Sequence, residues 1–175
     1  MRRRSNLHIY KLTLIRHAKS SWEQEGLHDF ERPLNERGRR DAPVMAARLK
    51  QSAATPTLLV SSPALRAITT ARIFAEGLGI PTDAIQLQAK IYEASVNTLL
   101  EIIRGLDDEH SHIALFGHNP GLSDLAQKLA RCDGFAELPT CGIVQISLPA
   151  KSWRNVSAMS GQLLYSSWPK DSRAL

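Results

Sequence analysis

Two cysteines in 175 residues are too few for a disulfide framework. With no export signal legible, Cys132 and Cys141 read as reduced thiols in a cytoplasmic protein. The Arg-rich start followed by Leu7 to Ile15 mimics a leader only superficially. Lys11 interrupts its apolar run and no small-residue cleavage site follows. No apolar stretch approaches the ~20 residues of a membrane-spanning helix, so no membrane partner is expected. The chain also lacks a Walker phosphate loop and a dinucleotide glycine fingerprint. Neither cysteine opens the Cys-x5-Arg loop of a cysteine-based phosphatase, because Leu138 and Ser147 stand where the arginines would be. No repeat, low-complexity tract or linker divides the sequence.

What is present is ordinary in bulk and specific in places. The chain is 43% apolar and 22% charged, as expected of a globular protein. Net charge is +5, from 22 basic and 17 acidic residues, and Arg2, Arg3 and Arg4 supply three of the positives. Residues 1–6 read as a basic, solvated tail and residues 7–175 as a single domain. Nucleic-acid contact through the tail is the lesser reading. A basic balance also suits an enzyme that attracts anionic, phosphorylated substrates.

Strand-like and helix-like segments alternate. Ile9 to Ile15 reads as a strand, and Arg16 to Leu34 as a long loop of the kind that often serves function. Asn35 can cap a helix to about Gln51, which Pro43 should kink or delay. Thr57 to Val60 is a buried strand. Ser62 and Pro63 fit the cap and first position of the next helix, whose stripe is Leu65, Ile68, Ala71, Phe74 and Leu78. A weak strand near Ala84 to Leu87 follows, then a helix from Val96 to Leu106. Strand Ile113 to Phe116, helix Pro120 to Arg131 and strand Gly142 to Leu148 come next. Two short strands near Asn155 to Met159 and Gln162 to Tyr165 complete the pattern. This alternation predicts an α/β fold, a three-layer αβα domain with a mostly parallel central sheet.

Three junctions carry chemistry. Arg16-His17 ends the first strand, Ser61-Ser-Pro-Ala-Leu-Arg66 follows the second, and Gly117-His118-Asn-Pro-Gly121 follows a later one. An open α/β sheet binds its ligands beyond the carboxyl ends of its strands. Two of the junctions start helices, whose free N–H groups favour an anion. Arg16 and Arg66 can fork around phosphate oxygens. A nucleophilic imidazole must be neutral, and neighbouring guanidiniums favour that form. His17 follows its strand directly, so it is the better nucleophile candidate, with a phosphohistidine intermediate. No metal or other cofactor is expected, because the arginines can neutralise charge.

These same residues resemble the histidine phosphatase (phosphoglycerate-mutase-like) superfamily. Arg16-His-Ala-Lys-Ser-Ser-Trp22, Arg32-Pro-Leu-Asn-Glu-Arg-Gly38 and Thr140-Cys-Gly142 resemble its SixA-type phosphohistidine phosphatase branch, over about Lys11 to Leu148. The resemblance implies that His17 is the phosphorylated nucleophile and that Arg16, Arg66 and His118 hold the phosphoryl group. It implies a phosphorylated protein as partner, including phosphorelay histidine domains. A small phosphorylated metabolite is the enzymatic alternative, and a non-catalytic phosphoprotein-binding module is a second. Larger members carry a general-acid carboxylate in an insertion this chain lacks. Glu93, in Ile91-Tyr-Glu-Ala-Ser95, is the nearest candidate. A phosphohistidine substrate relaxes that need, since imidazole leaves far more easily than an alkoxide.

Lesser sites have bland readings beside sharp ones. Ser20 is a substrate-binding candidate; with Lys19 and Trp22 it can shape the entrance, or all three can simply pack the loop. Thr140 can add a hydroxyl at the rim or start a strand. Asp29 and Arg32 are expected to pair within the loop, and His28 to be solvated. Asp107-Asp-Glu-His-Ser-His112 invites a metal reading, but its place before a strand favours a solvated loop.

Overall fold

A computed structural model of the chain describes residues 7–52, 55–132 and 136–171. The cluster Arg2, Arg3 and Arg4 lies outside the described residues. Six strands, β1 His8–Arg16, β2 Leu58–Ser61, β3 Gln86–Leu87, β4 His112–Gly117, β5 Ile143–Ala150 and β6 Gln162–Ser167, form one sheet in the order β3-β2-β4-β1-β5-β6. The helices are α1 Glu36–Ser52, α2 Leu65–Leu78, α3 Val96–Arg104 and α4 Gly121–Leu129. β3, β2, β4 and β1 pair in parallel. β5 is antiparallel to both β1 and β6, so it alone runs against the rest.

Alternate residues of the strands feed opposite layers, as the pleat requires. Leu12 and Leu14 of β1 pack with Leu99 and Ile103 of α3 and Leu122 and Leu125 of α4. Ile15 of β1, Ala114 and Phe116 of β4 pack with Met45 and Leu49 of α1 and Ala71 and Phe74 of α2. The chain thus runs outward through α1 and α2 on one face and returns through α3 and α4 on the other. β4 is inserted between β2 and β1. That insertion sets three strand ends side by side, with Arg16 paired to Gly117 and Ser61 to Phe116.

Several expectations are corrected. α1 runs unbroken through Pro43 instead of starting later. Pro43 is exposed, so the Arg39 carbonyl it leaves unbonded can be met by water. α2 starts two residues after Pro63, with Ala64 as its cap. The Ser62 hydroxyl is engaged elsewhere, by the Ala64 N–H at 3.3 Å and the His118 ring at 2.8 Å. No strand forms over 155–159. Trp153 to Asn155 make a 3-10 turn, because the Trp153 indole is fully buried and donates to the His110 carbonyl. Asp107 to His112 is not simply a solvated loop. Asp108 accepts from the Trp153 N–H at 2.7 Å, and buried His112 joins Thr13 and Gln145 across the sheet.

Gly38 ties α1 to the segment after β1. A Cβ there would lie 2.2 Å from the Lys19 carbonyl oxygen, which already accepts from the Asn35 N–H at 3.0 Å. The Asn35 side chain in turn caps the Gly38 N–H at 2.9 Å. Gly38→Ala is expected to cost about 1–3 kcal/mol through overpacking, read as a lower melting temperature. An unchanged melting temperature would show that the two segments separate freely.

Candidate active site

The three strand ends deliver their side chains to one place. The His17 N–H donates to the Gly117 carbonyl at 3.1 Å, and the Ser62 N–H to the Phe116 carbonyl at 3.0 Å. His17 and His118 therefore face each other, with ring centroids 5.3 Å apart. Arg66 reaches the His17 ring, and both Arg16 and Arg66 lie within electrostatic reach of it.

His17 has a fixed tautomer. Its Nδ1 lies 2.8 Å from the Ala18 carbonyl oxygen, which can only accept, so Nδ1 carries the proton. Nε2 keeps its lone pair. The Arg66 Nε–H points to that lone pair at 3.4 Å. Burial is the main cause that pushes the His17 pKa down to about 3, with His118, Arg66 and Arg16 adding repulsion. His118 is lowered to about 4 by burial, Arg66 and Arg16. Both rings are neutral near pH 7.

The guanidiniums are held from outside. Arg16 Nη1 donates to the Leu138 carbonyl at 2.8 Å and to Glu137 at 3.2 Å. Asn119 reaches the same two acceptors at 2.8 and 3.2 Å. Arg66 is 6% exposed, and its Nη2 donates to Asp29 Oδ2 at 2.8 Å. Asp29 also accepts from Arg32 and from the Tyr92 hydroxyl, each at 2.8 Å. Burial would raise the Asp29 pKa, but donation from Tyr92, Arg32 and Arg66 outweighs it and holds the carboxyl at about 2. Asp29 is therefore an anion that positions Arg66, not a proton donor.

Two atoms of this cluster, Arg16 Nε and His118 Nδ1, are buried without a partner among the described residues. Each unmet group costs about 1–3 kcal/mol, which an oxyanion accepting from them would recover. No group of three or more metal-ligating side chains occurs among the described residues. No helix among them is long and apolar enough to cross a membrane.

A model of the histidine phosphatase superfamily (branch 1) matches residues 12–119. The chain belongs to that superfamily. As a member of the histidine phosphatase superfamily it is a phosphatase, and its phosphoglycerate-mutase-like fold agrees with solved structures. A SixA protein from Agrobacterium tumefaciens is 26% identical, with a TM-score of 0.74 over 90% of this chain and 97% of that one. A protein histidine phosphatase SixA complexed with tungstate is 20% identical, with a TM-score of 0.76 over 91% of this chain and 97% of that one. An uncharacterized protein of Mycobacterium tuberculosis is 29% identical over 151 residues, 81% of this chain and 91% of the relative.

The weaker candidates separate from the core of this histidine phosphatase site. Ser20 is buried and its hydroxyl accepts from Arg32 Nη2, inside the loop. Thr140 precedes Cys141, whose N–H bonds the Arg16 and His17 carbonyls, so Thr140 sits beside the strand end. Glu93 is exposed, holds a left-handed backbone (φ 53°) and borders a cleft with His118 and Asn119. The Asp29–Arg32 pair forms as expected, but its reach to Arg66 and Tyr92 was not foreseen. The i,i+3 spacing signals the local pair, and nothing in the sequence signals the long-range partners.

Because His17 and His118 are buried uncharged, the unfolded chain binds protons first as pH falls below about 6.5. Their share of stability is lost between pH 6.5 and about 3–4 and does not change further below that. Denaturant midpoints measured from pH 7 to pH 4 should fall less steeply for His17→Gln than for the parent. Equal slopes would show that the ring is solvated.

Proposed function

We propose that the protein hydrolyses phosphohistidine in a partner protein, through a covalent phosphoryl group on His17. The observation that carries this reading is the His17 ring. Its Nδ1 is committed to Ala18 while Nε2, uncharged, lies between Arg66 and the facing His118.

In the first step the Nε2 lone pair attacks phosphorus. The Nε2–P bond forms and the bond to the substrate ring breaks; that ring takes a proton from solvent and leaves as neutral imidazole. The substituted His17 ring retains Nδ1–H and is cationic, and the Ala18 carbonyl that accepts this N–H stabilises it. Arg16 and Arg66 balance charge on the phosphoryl oxygens, and His118 adds a ring nitrogen to the grip. In the second step water attacks phosphorus, breaks the P–Nε2 bond and returns His17 to its neutral form. Releasing an imidazole, with a pKa near ~6.5, asks little of a general acid.

Glu93 supports a second reading, a phosphomonoesterase for small metabolites. It borders the cleft at His118, where a carboxyl could protonate an alkoxide leaving group. Thr140 is assigned to the entrance, and Ser20 shapes it only through Arg32, from which its buried hydroxyl accepts. A cytoplasmic setting is part of the proposal, supported by the free, buried thiol of Cys141.

With chelator present, kcat/KM for a phosphohistidine peptide should exceed that for p-nitrophenyl phosphate and sugar phosphates by about 10²-fold or more. Preference for the esters would overturn the substrate assignment. Arg66→Ala should lower kcat/KM by about 10²–10³-fold, the usual loss on removing a preorganised charge donor, with the fold retained by circular dichroism. Glu93→Gln should slow ester hydrolysis by about 10²-fold and leave phosphohistidine hydrolysis nearly unchanged. Equal losses on both substrates would make Glu93 part of the phosphoryl grip.

A further inference from the structure

The loop that holds Arg66 turns unusual side chains to solvent. Trp22 is 74% exposed, and Leu27, Phe30 and Leu65 are 38–39% exposed. Isolated exposed apolar residues are unremarkable, but here three share one loop and Leu65 adjoins Arg66.

Two of them are also pinned. The Arg32 guanidinium lies 3.2 Å from the centre of the Trp22 ring. Arg32 is itself 8% exposed, tied to Ser20, to the Ser21 carbonyl at 3.0 Å and to Asp29 at 2.8 Å. Phe30 packs edge-on against Tyr92 at 5.1 Å, and Tyr92 packs against His118 at 5.6 Å. An aromatic surface already ordered loses little entropy when covered, which is the property of an interface anchor.

The charges around it select a partner. Glu23, Glu25 and Glu31 are exposed on the same loop and form no ion pair among the described residues. The chain as a whole carries +5, so this is an acidic rim on a basic molecule, next to an anion site. Such a rim repels a small polyanion once its phosphoryl group is placed, and attracts cationic side chains on a larger partner.

We propose that Trp22, Leu27, Phe30 and Leu65 are the docking surface for the substrate protein. Its phosphohistidine would be flanked by apolar residues with Lys or Arg at their margin. This rests on the phosphohistidine reading above. It adds that recognition reaches beyond the phosphoryl group.

Two phosphohistidine peptides test it, one flanked by Leu and Lys and one by Ser and Glu, with free phosphohistidine as reference. The parent protein should prefer the Leu/Lys peptide by about 30-fold in kcat/KM, the scale of one interface anchor. Trp22→Ser/Leu27→Ser should lose that preference while hydrolysing free phosphohistidine at the parental rate. Glu23→Lys/Glu25→Lys should weaken the Leu/Lys peptide and favour the Ser/Glu one. No preference in the parent, or one that survives in Trp22→Ser/Leu27→Ser, overturns the docking surface and leaves the phosphohistidine reading standing. Failure on all three phosphohistidine probes, with p-nitrophenyl phosphate still cleaved, overturns both.

Discussion

The hydrogen bond from His17 Nδ1 to the Ala18 carbonyl is the constraint on which the chemistry depends. A carbonyl cannot donate, so the bond decides which ring nitrogen is protonated and which keeps a lone pair. An imidazole free to change tautomer would present a nucleophile only part of the time. Burial adds the second condition. With a pKa pushed down to about 3, the ring stays uncharged among two guanidiniums at neutral pH. The guanidiniums add to what burial does in keeping it neutral, and in the proposed reaction the same two groups would neutralise the phosphoryl oxygens.

The sheet makes this arrangement rigid. β4 lies between β1 and β2, and the parallel register of Arg16 with Gly117 sets the Arg16-His17 and Gly117-His118 steps level. Each histidine directly follows a strand of the sheet. The long loop after β1 has a different task. Through Asp29 it takes up part of the Arg66 fork, and through Arg32 it orders Trp22. Charge on Asp29 is retained because Tyr92, Arg32 and Arg66 all donate to it. The loop thereby links Arg66 to the outer surface around Trp22.

The alternation of strands and helices was readable because β1, β2, β4 and β5 are largely buried apolar runs and the helices carry apolar stripes. The meeting of Arg16, His17, Arg66 and His118 in one place was readable for a related reason. Each ends or follows a strand or opens a helix, at the same edge of the sheet. What could not be read was set by long-range packing. Pro43 is tolerated because it faces solvent, and the 3-10 turn at Trp153 exists because Asp108 and His110 receive its donors. The reversed direction of β5 and the Tyr92–Asp29–Arg66 chain likewise depend on partners distant in sequence. Ser62 shows the limit of local rules. Its position suits a helix cap, yet its hydroxyl lies against the His118 ring.

The most direct test of the central claim is the position of the phosphate on the enzyme. Rapid quench at mildly alkaline pH, where phosphohistidine survives, followed by peptide mass spectrometry and phosphorus NMR identifies both residue and ring nitrogen. The account predicts one phosphate, on Nε2 of His17. Phosphate on Nδ1, on His118, or turnover with no phosphorylated histidine would contradict it.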